Sequence, residues 1–253
     1  NNAIFKYTRK FDNINLNKNN LLLNKSIRNS YKKNIDKKIF SSFKKAIKNV
    51  KNFHKLQFPK NYHLKNKDIK TALKWKPIES VGLYIPGGQT TYPSSLIMNV
   101  VPAQIAGVKR IVCVTPPTKS FNPYILALLD EFKIEEVYQV GGAQAIASLA
   151  YGTETIKPVN KIFGPGNDFV TIAKKKLFGK VGIDLIAGPS EIVVVANKKN
   201  NPKWVASDLI AQAEHDINAQ SILITDNLDF IQDVQNEIKD IVEILPRKKI
   251  IKK

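Results

Sequence analysis

From Val81 onward the chain alternates. Short β-branched runs each stop in a glycine or proline loop, and a helical stretch follows most of them. Residues 81–85 run into Pro86-Gly87-Gly88, and residues 111–115 into Pro116-Pro117. Residues 136–140 run into Gly141-Gly142, and residues 161–163 into Gly164-Pro165-Gly166. Helices are expected over 123–132, 143–151, 167–178, 203–215 and 228–241, with further strands at 191–196 and 221–225. Strands and helices alternating at this spacing make βαβ units around a parallel sheet. The strands are unbroken apolar runs, as expected where both faces of a sheet are covered. Ligands of such sheets bind at the carboxyl ends of the strands, where these loops fall.

The first 76 residues have a different texture, polar and mostly helical. Ile39, Phe43, Ala46, Ile47, Val50 and Phe53 recur at spacings of three and four, which predicts a helix with Ile39, Phe43 and Phe53 in the core and lysines on the other face. Residues 17–20 and 59–67 read as connectors. This third holds 21 Lys and Arg against three acids, a balance of +18 within a chain total of +19. Only four of the 40 basic residues are arginine (Arg9, Arg28, Arg110 and Arg247), and there are 24 asparagines. Nucleic-acid surfaces mix arginine with aromatics for bidentate and stacking contacts. A lysine and asparagine bias is what A/T-rich codons produce by drift, so nucleic acid is not an expected partner.

No run of about 18 uncharged apolar residues is present, so no membrane-spanning helix is expected. No apolar segment follows a basic start, so no signal peptide is expected either. The lone Cys113 excludes an internal disulfide and a cysteine-cluster metal site, in keeping with a cytoplasmic setting. It falls in a buried strand and reads as an inert small hydrophobe. The chain starts at Asn1, and its single methionine is Met98, so it is expected to be processed or partial.

Four local patterns could carry chemistry. Gly164-Pro165-Gly166-Asn167 sits between strand and helix, where exposed amides suit a phosphate. Phe169 stands where a dinucleotide fingerprint needs its third glycine, so alone it reads as a structural turn first. Gly141-Gly142-Ala143-Gln144 follows the same logic. Gly188-Pro189-Ser190-Glu191 is not a nucleophile elbow, and Ser190 suits a ligand hydrogen bond or a plain turn. Gln212 and His215 share a helical face at i and i+3. Imidazole is a good zinc ligand and an amide oxygen a weak one, and two such groups do not hold zinc against water. Alone they read as a surface pair at a helix end, as His54 and His63 do in the basic third.

Taken together in order, these segments resemble the histidinol dehydrogenase family. The resemblance is carried by residues 81–88 (VGLYIPGG), 92–95 (YPSS), 102–107, 140–147 (VGGAQAIA), 161–167 (KIFGPGN), 182–191 (GIDLIAGPSE) and 208–220 (DLIAQAEHDINAQ). Residues 7–12 (YTRKFD) and 49–57 are similar to the family's early helices, so the match is collinear over almost the whole chain. The family oxidises L-histidinol to L-histidine through the aldehyde, with two NAD+ and one zinc per site, in the last step of histidine biosynthesis. Carried over by motif, the resemblance implies NAD contacts from Tyr84, Gln144 and Asn167, a substrate contact from Ser190, and zinc and substrate contacts from Gln212 and His215. In the family, zinc mainly holds the substrate's imidazole and amino nitrogens.

The resemblance also implies what this chain lacks. The family's catalytic Glu-His pair and its remaining zinc ligands, an Asp and a His, are expected beyond Lys253, and no histidine follows His215. The expectation is a fragment truncated at both ends, with no catalytic residue of its own, from a parent that is an intertwined homodimer. The expected fold is α/β, with βαβ units and parallel sheets, Rossmann-like but incomplete, after a helical N-terminal region. Residues 1–76 form that basic region. Residues 77–253 form the NAD-binding and zinc-ligand-bearing part, as two Rossmann-like lobes. The alternatives are a Lys-rich nucleic-acid-binding module or a decayed remnant.

Overall fold

The computed structural model describes residues 1–31, 35–87, 92–186, 188, 190–214, 218–246 and 248–251. The chain divides into two compact units, Asn1–Ile186 and Ala187–Lys253. The first contains α1 (Asn2–Asp12), α2 (Lys25–Tyr31), α3 (Lys37–Lys55), β1 (Tyr62–Lys65), β2 (Lys70–Leu73) and β3 (Ser80–Tyr84). It continues with α4 (Pro93–Ile105), β4 (Arg110–Thr115), α5 (Pro123–Glu131), β5 (Glu136–Gln139), α6 (Gly142–Tyr151), β6 (Lys161–Phe163), α7 (Asp168–Leu177) and β7 (Gly182–Ile183). The second contains β8 (Glu191–Val195), α8 (Pro202–Ala213), β9 (Gln220–Ile224), α9 (Leu228–Ile244) and α10 (Lys248–Ile251).

The first unit is built on a parallel five-stranded sheet of order β5-β4-β3-β6-β7. Side chains alternate across it, as a period of two demands. Val81, Leu83 and Cys113 enter a core with α4 and α5, while Tyr84, Val112 and Val114 enter a second core with α1, α6 and α7. Both faces are covered, so β3 is buried at all five positions. The expected parallel α/β architecture is present, and the six strands and five helices given bounds from residue 81 onward lie within a few residues of them, whereas α4 and β7 are not foreseen in the sequence.

The basic first third is woven into this unit. Leu22 bridges Tyr138 antiparallel, with Leu23 N–H donating to Val137 O at 2.8 Å and Gln139 N–H to Leu21 O at 2.9 Å. That covers the edge of β5, which would otherwise present unpaired backbone groups. Arg28 is buried, paired with Asp130 at 2.8 Å and donating to Ile134 O at 2.9 Å. Asp36 starts α3 by accepting from the Lys38 and Ile39 amides.

Three sequence readings need correction. On α3, Phe40, Phe43, Ala46, Ile47 and Val50 pack on the core, but Ile39 and Phe53 are 45% and 60% exposed. The buried row runs 40-43-47-50, and Ile39 lies about 100° round from Phe40, on the flank. The connector expected at 59–67 instead enters an antiparallel hairpin of β1 and β2, closed by Asn66 N–H donating to Ile69 O at 2.8 Å. And β8 and β9 are not covered on both faces. Ile192, Val194 and Leu223 pack towards α8 and α9, whereas Val193, Val195, Ile222 and Ile224 are exposed.

Candidate functional site

The strand order reverses between β3 and β6. From β3 the chain steps to β4 and β5, then returns to β6 on the other side. Such a reversal opens a crevice at the carboxyl ends of the two central strands. Tyr84 ends β3 there and Gly164 follows β6.

Tyr84 is 3% exposed, and its hydroxyl oxygen accepts the Gly142 N–H at 3.1 Å. Burial pushes its phenol pKa up, and that amide partly offsets the rise. Gly142 has φ 64°, a conformation that favours glycine. It opens α6 with no acidic residue in the first turn and no side-chain cap. First-turn amides and the positive end of the helix dipole suit an anion such as a pyrophosphate. Gln144 sits half-buried on this turn, its Oε1 3.0 Å from where a Cβ on Gly142 would stand. It also lines a cavity of about 500 Å3 between α1 and α6, with Ile4, Tyr7, Phe11 and Ala147.

Gly164 has φ 113°, and a Cβ there would stand 2.2 Å from the Tyr84 carbonyl oxygen. Three residues on, the exposed Asn167 caps α7 by accepting from Val170 N–H at 3.2 Å. Asp168 puts a negative charge in that first turn, so the start of α7 suits an anion less than that of α6. Tyr84, Gln144 and Asn167 are thus linked by way of Gly142 and Gly164. Beneath this loop lies a pair that sequence reasoning missed. Lys174 donates to Gly164 O at 3.1 Å and to Asp184, which in turn accepts the Gly164 N–H at 2.8 Å. Nothing in the spacing of a lysine and an aspartate ten residues apart points to this.

In the second unit, Gln212 is half-buried near the end of α8 and donates through Nε2 to the carbonyl of the exposed Ser190 at 3.2 Å. The two are therefore neighbours, and the Gln212 amide oxygen keeps its acceptor capacity. His215 lies outside the described residues, as does Gly88. Among the described residues no group of three or more His, Cys, Asp or Glu could hold a metal ion. A neutral amide oxygen does not make a zinc site by itself.

His54 Nδ1 and Gln57 Oε1 are 2.7 Å apart at the end of α3, and His63 is exposed on β1. Burial pushes the Cys113 thiol up to about 12, which leaves it inert. Arg110 forks onto Glu136 at 2.6 and 2.8 Å at the amino ends of β4 and β5. Two of the four arginines, Arg28 and Arg110, are therefore engaged internally.

The sequence matches the model of the histidinol dehydrogenase family over residues 1–253. The match includes the basic first third, which gives no support to a separate nucleic-acid-binding module. The histidinol dehydrogenase of Rhodopseudomonas palustris is 46% identical over 250 residues, 98% of this chain and 58% of that protein. Histidinol dehydrogenase 1 of Nostoc is 50% identical over 207 residues, 81% of this chain and 48% of that protein. Among solved structures, the histidinol dehydrogenase of Elizabethkingia anophelis superposes with a TM-score of 0.93 at 36% identity, covering 99% of this chain and 58% of that one. The chain thus spans less than two thirds of each of these proteins.

Proposed function

Because this chain belongs to the histidinol dehydrogenase family, we propose that it carries the NAD-holding part of an enzyme that oxidises L-histidinol to L-histidine through the aldehyde. The observation that carries the reading is the convergence of Tyr84, Gly142 and Gly164 where the strand order reverses. The residues present fit a dinucleotide: a helix start whose N-cap, Gly141, has no side chain and whose Gly142 amide goes to Tyr84 while the next amides stay open, a left-handed glycine that bares its backbone, and neighbouring polar side chains. NAD+ held here would supply the hydride acceptor for two successive oxidations, alcohol to aldehyde and, once water has added, aldehyde to acid, with one proton released in each.

Each residue then has a task. The Ala143 and Gln144 amides of the first turn of α6 would hold the pyrophosphate, the Gly142 amide being taken by Tyr84. Tyr84 accepts from Gly142 and so keeps its own hydrogen to donate, and its raised pKa keeps it protonated. Gln144 offers an amide on the first turn of α6, and Asn167 offers its remaining hydrogen-bonding groups at the start of α7. Ser190 and Gln212 stand for the substrate end in the second unit. Gln212 and His215 are proposed as two zinc ligands. Two neutral donors do not suffice, so a zinc held there would need further ligands. The reading carries with it a homodimer, a cytoplasmic setting and no membrane partner. No described helix is long and apolar enough to cross a membrane.

Calorimetric titration of the purified chain with NAD+ tests this. Saturable binding is expected, weakened in Gln144→Ala, and a chain that takes up no NAD+ at millimolar concentration sinks the reading. L-histidinol and zinc added to the same sample should yield no NADH. Turnover would overturn the assignment of proton transfer to residues outside this chain.

A further inference from the structure

In the Gly-Pro-Gly loop after β6, Pro165 fixes its own φ, but Gly164 has no side chain to anchor it. Glycine is the least restrained of residues, yet Gly164 is fixed at φ 113° with its α-carbon against the Tyr84 carbonyl. Something outside the loop must supply that constraint. The Lys174 side chain is 4% exposed, and its ammonium donates to the Gly164 carbonyl at 3.1 Å and to Asp184 Oδ1. Asp184 Oδ2 accepts the Gly164 N–H at 2.8 Å, and Oδ1 also accepts the Leu185 N–H at 2.7 Å. The result is a closed ring through both polar groups of one peptide residue, with each charge paired.

We propose that Lys174 and Asp184 are positioning residues that grip Gly164 by its N–H and its carbonyl, and so set the 164–167 loop against Tyr84 for nucleotide binding. This rests on the reading that NAD+ occupies this edge of the sheet. The ammonium is too buried to meet a ligand, so it acts through the loop. Burying a charge is costly unless it is paired and hydrogen-bonded, and this pair lies directly beneath the proposed binding loop. Without Lys174, the Gly164 carbonyl loses its described donor and Asp184 its counter-charge. Asn167, which offers its side chain to the ligand, would then ride on a loose backbone.

The test sets Lys174→Met and Lys174→Arg beside Arg110→Met, which breaks a comparable pair at the opposite edge of the sheet. Two readouts apply to each: NAD+ affinity by calorimetry, and hydrogen–deuterium exchange of the peptide spanning 162–171. Lys174→Met should weaken NAD+ binding by about tenfold or more and speed loop exchange by a similar factor, the scale set by losing a charged hydrogen bond. Lys174→Arg should recover most of both. Arg110→Met should lower the thermal midpoint and leave both readouts at wild-type values. Should folded Lys174→Met bind NAD+ as the wild type does, or keep the wild-type loop exchange, the positioning role is overturned. If instead the wild-type chain itself binds no NAD+, the nucleotide reading falls and this inference falls with it. The exchange data then report separately whether the pair holds the loop.

Discussion

Gly164 is the residue whose replacement is most sharply constrained. An added methyl would stand 2.2 Å from a main-chain oxygen, and backbone cannot swing aside as a side chain can. The positive φ adds strain for any other residue. Gly164→Ala is therefore expected to cost about 3 kcal/mol or more of stability in urea unfolding. A loss below about 1 kcal/mol would show that β3 and the loop are not locked together as described. Tyr84 illustrates a different residue-scale point: a side chain can be buried and still keep a hydrogen to donate. Its motif was legible in the sequence, because a glycine loop at a strand end is a local pattern. Its hydrogen bond to Gly142, 58 positions away, was not.

At the scale of elements, β4 and β5 are tied at their amino ends by Arg110 and Glu136. The Arg110 guanidinium, donating to both carboxylate oxygens, holds Glu136 below the usual carboxylate range. A carboxyl lowered on folding contributes stability that is present above its unfolded pKa and lost as pH falls through its folded one. Glu136→Gln should therefore flatten the acid limb of the stability profile. The pair is partly solvated, so the loss at neutral pH should be only about 1 kcal/mol. Urea melts from pH 3 to 7 check this, and an acid limb unchanged from wild type would remove the pair from the account. Tyr138 beside it is pushed up to about 12 by burial and by Glu136. Its share of stability is full below about 10 and lost as pH rises through that folded value. Strands and helices were mostly legible because period 2 and period 3.6 are written locally. The exceptions are instructive. α4 carries Pro102 inside it and has little amphipathic contrast, and β1 and β2 are lysine-bearing strands with no buried face. The Lys174–Asp184 ring joins a helix to a strand end, which no local pattern records.

Across the whole molecule, the concentration of positive charge in the first third does not mark a separate body. Leu21, Leu23 and Arg28 from that third are buried with the sheet of the first unit. The described lysines of that third stay exposed on the outside. The second unit poses the opposite problem. Its helices cover one side of a two-stranded parallel sheet and leave the other bare, with Val195 77% exposed. Parallel sheets are ordinarily sheathed on both sides.

That bare side makes the unit adhesive. Molecules of this chain should associate reversibly through it as they are concentrated, because the valines and isoleucines exposed on one face of the β8–β9 sheet gain from being covered. Val195→Lys should keep the same melting behaviour while shifting sedimentation toward the monomer, and an unchanged distribution of sizes would point to another contact.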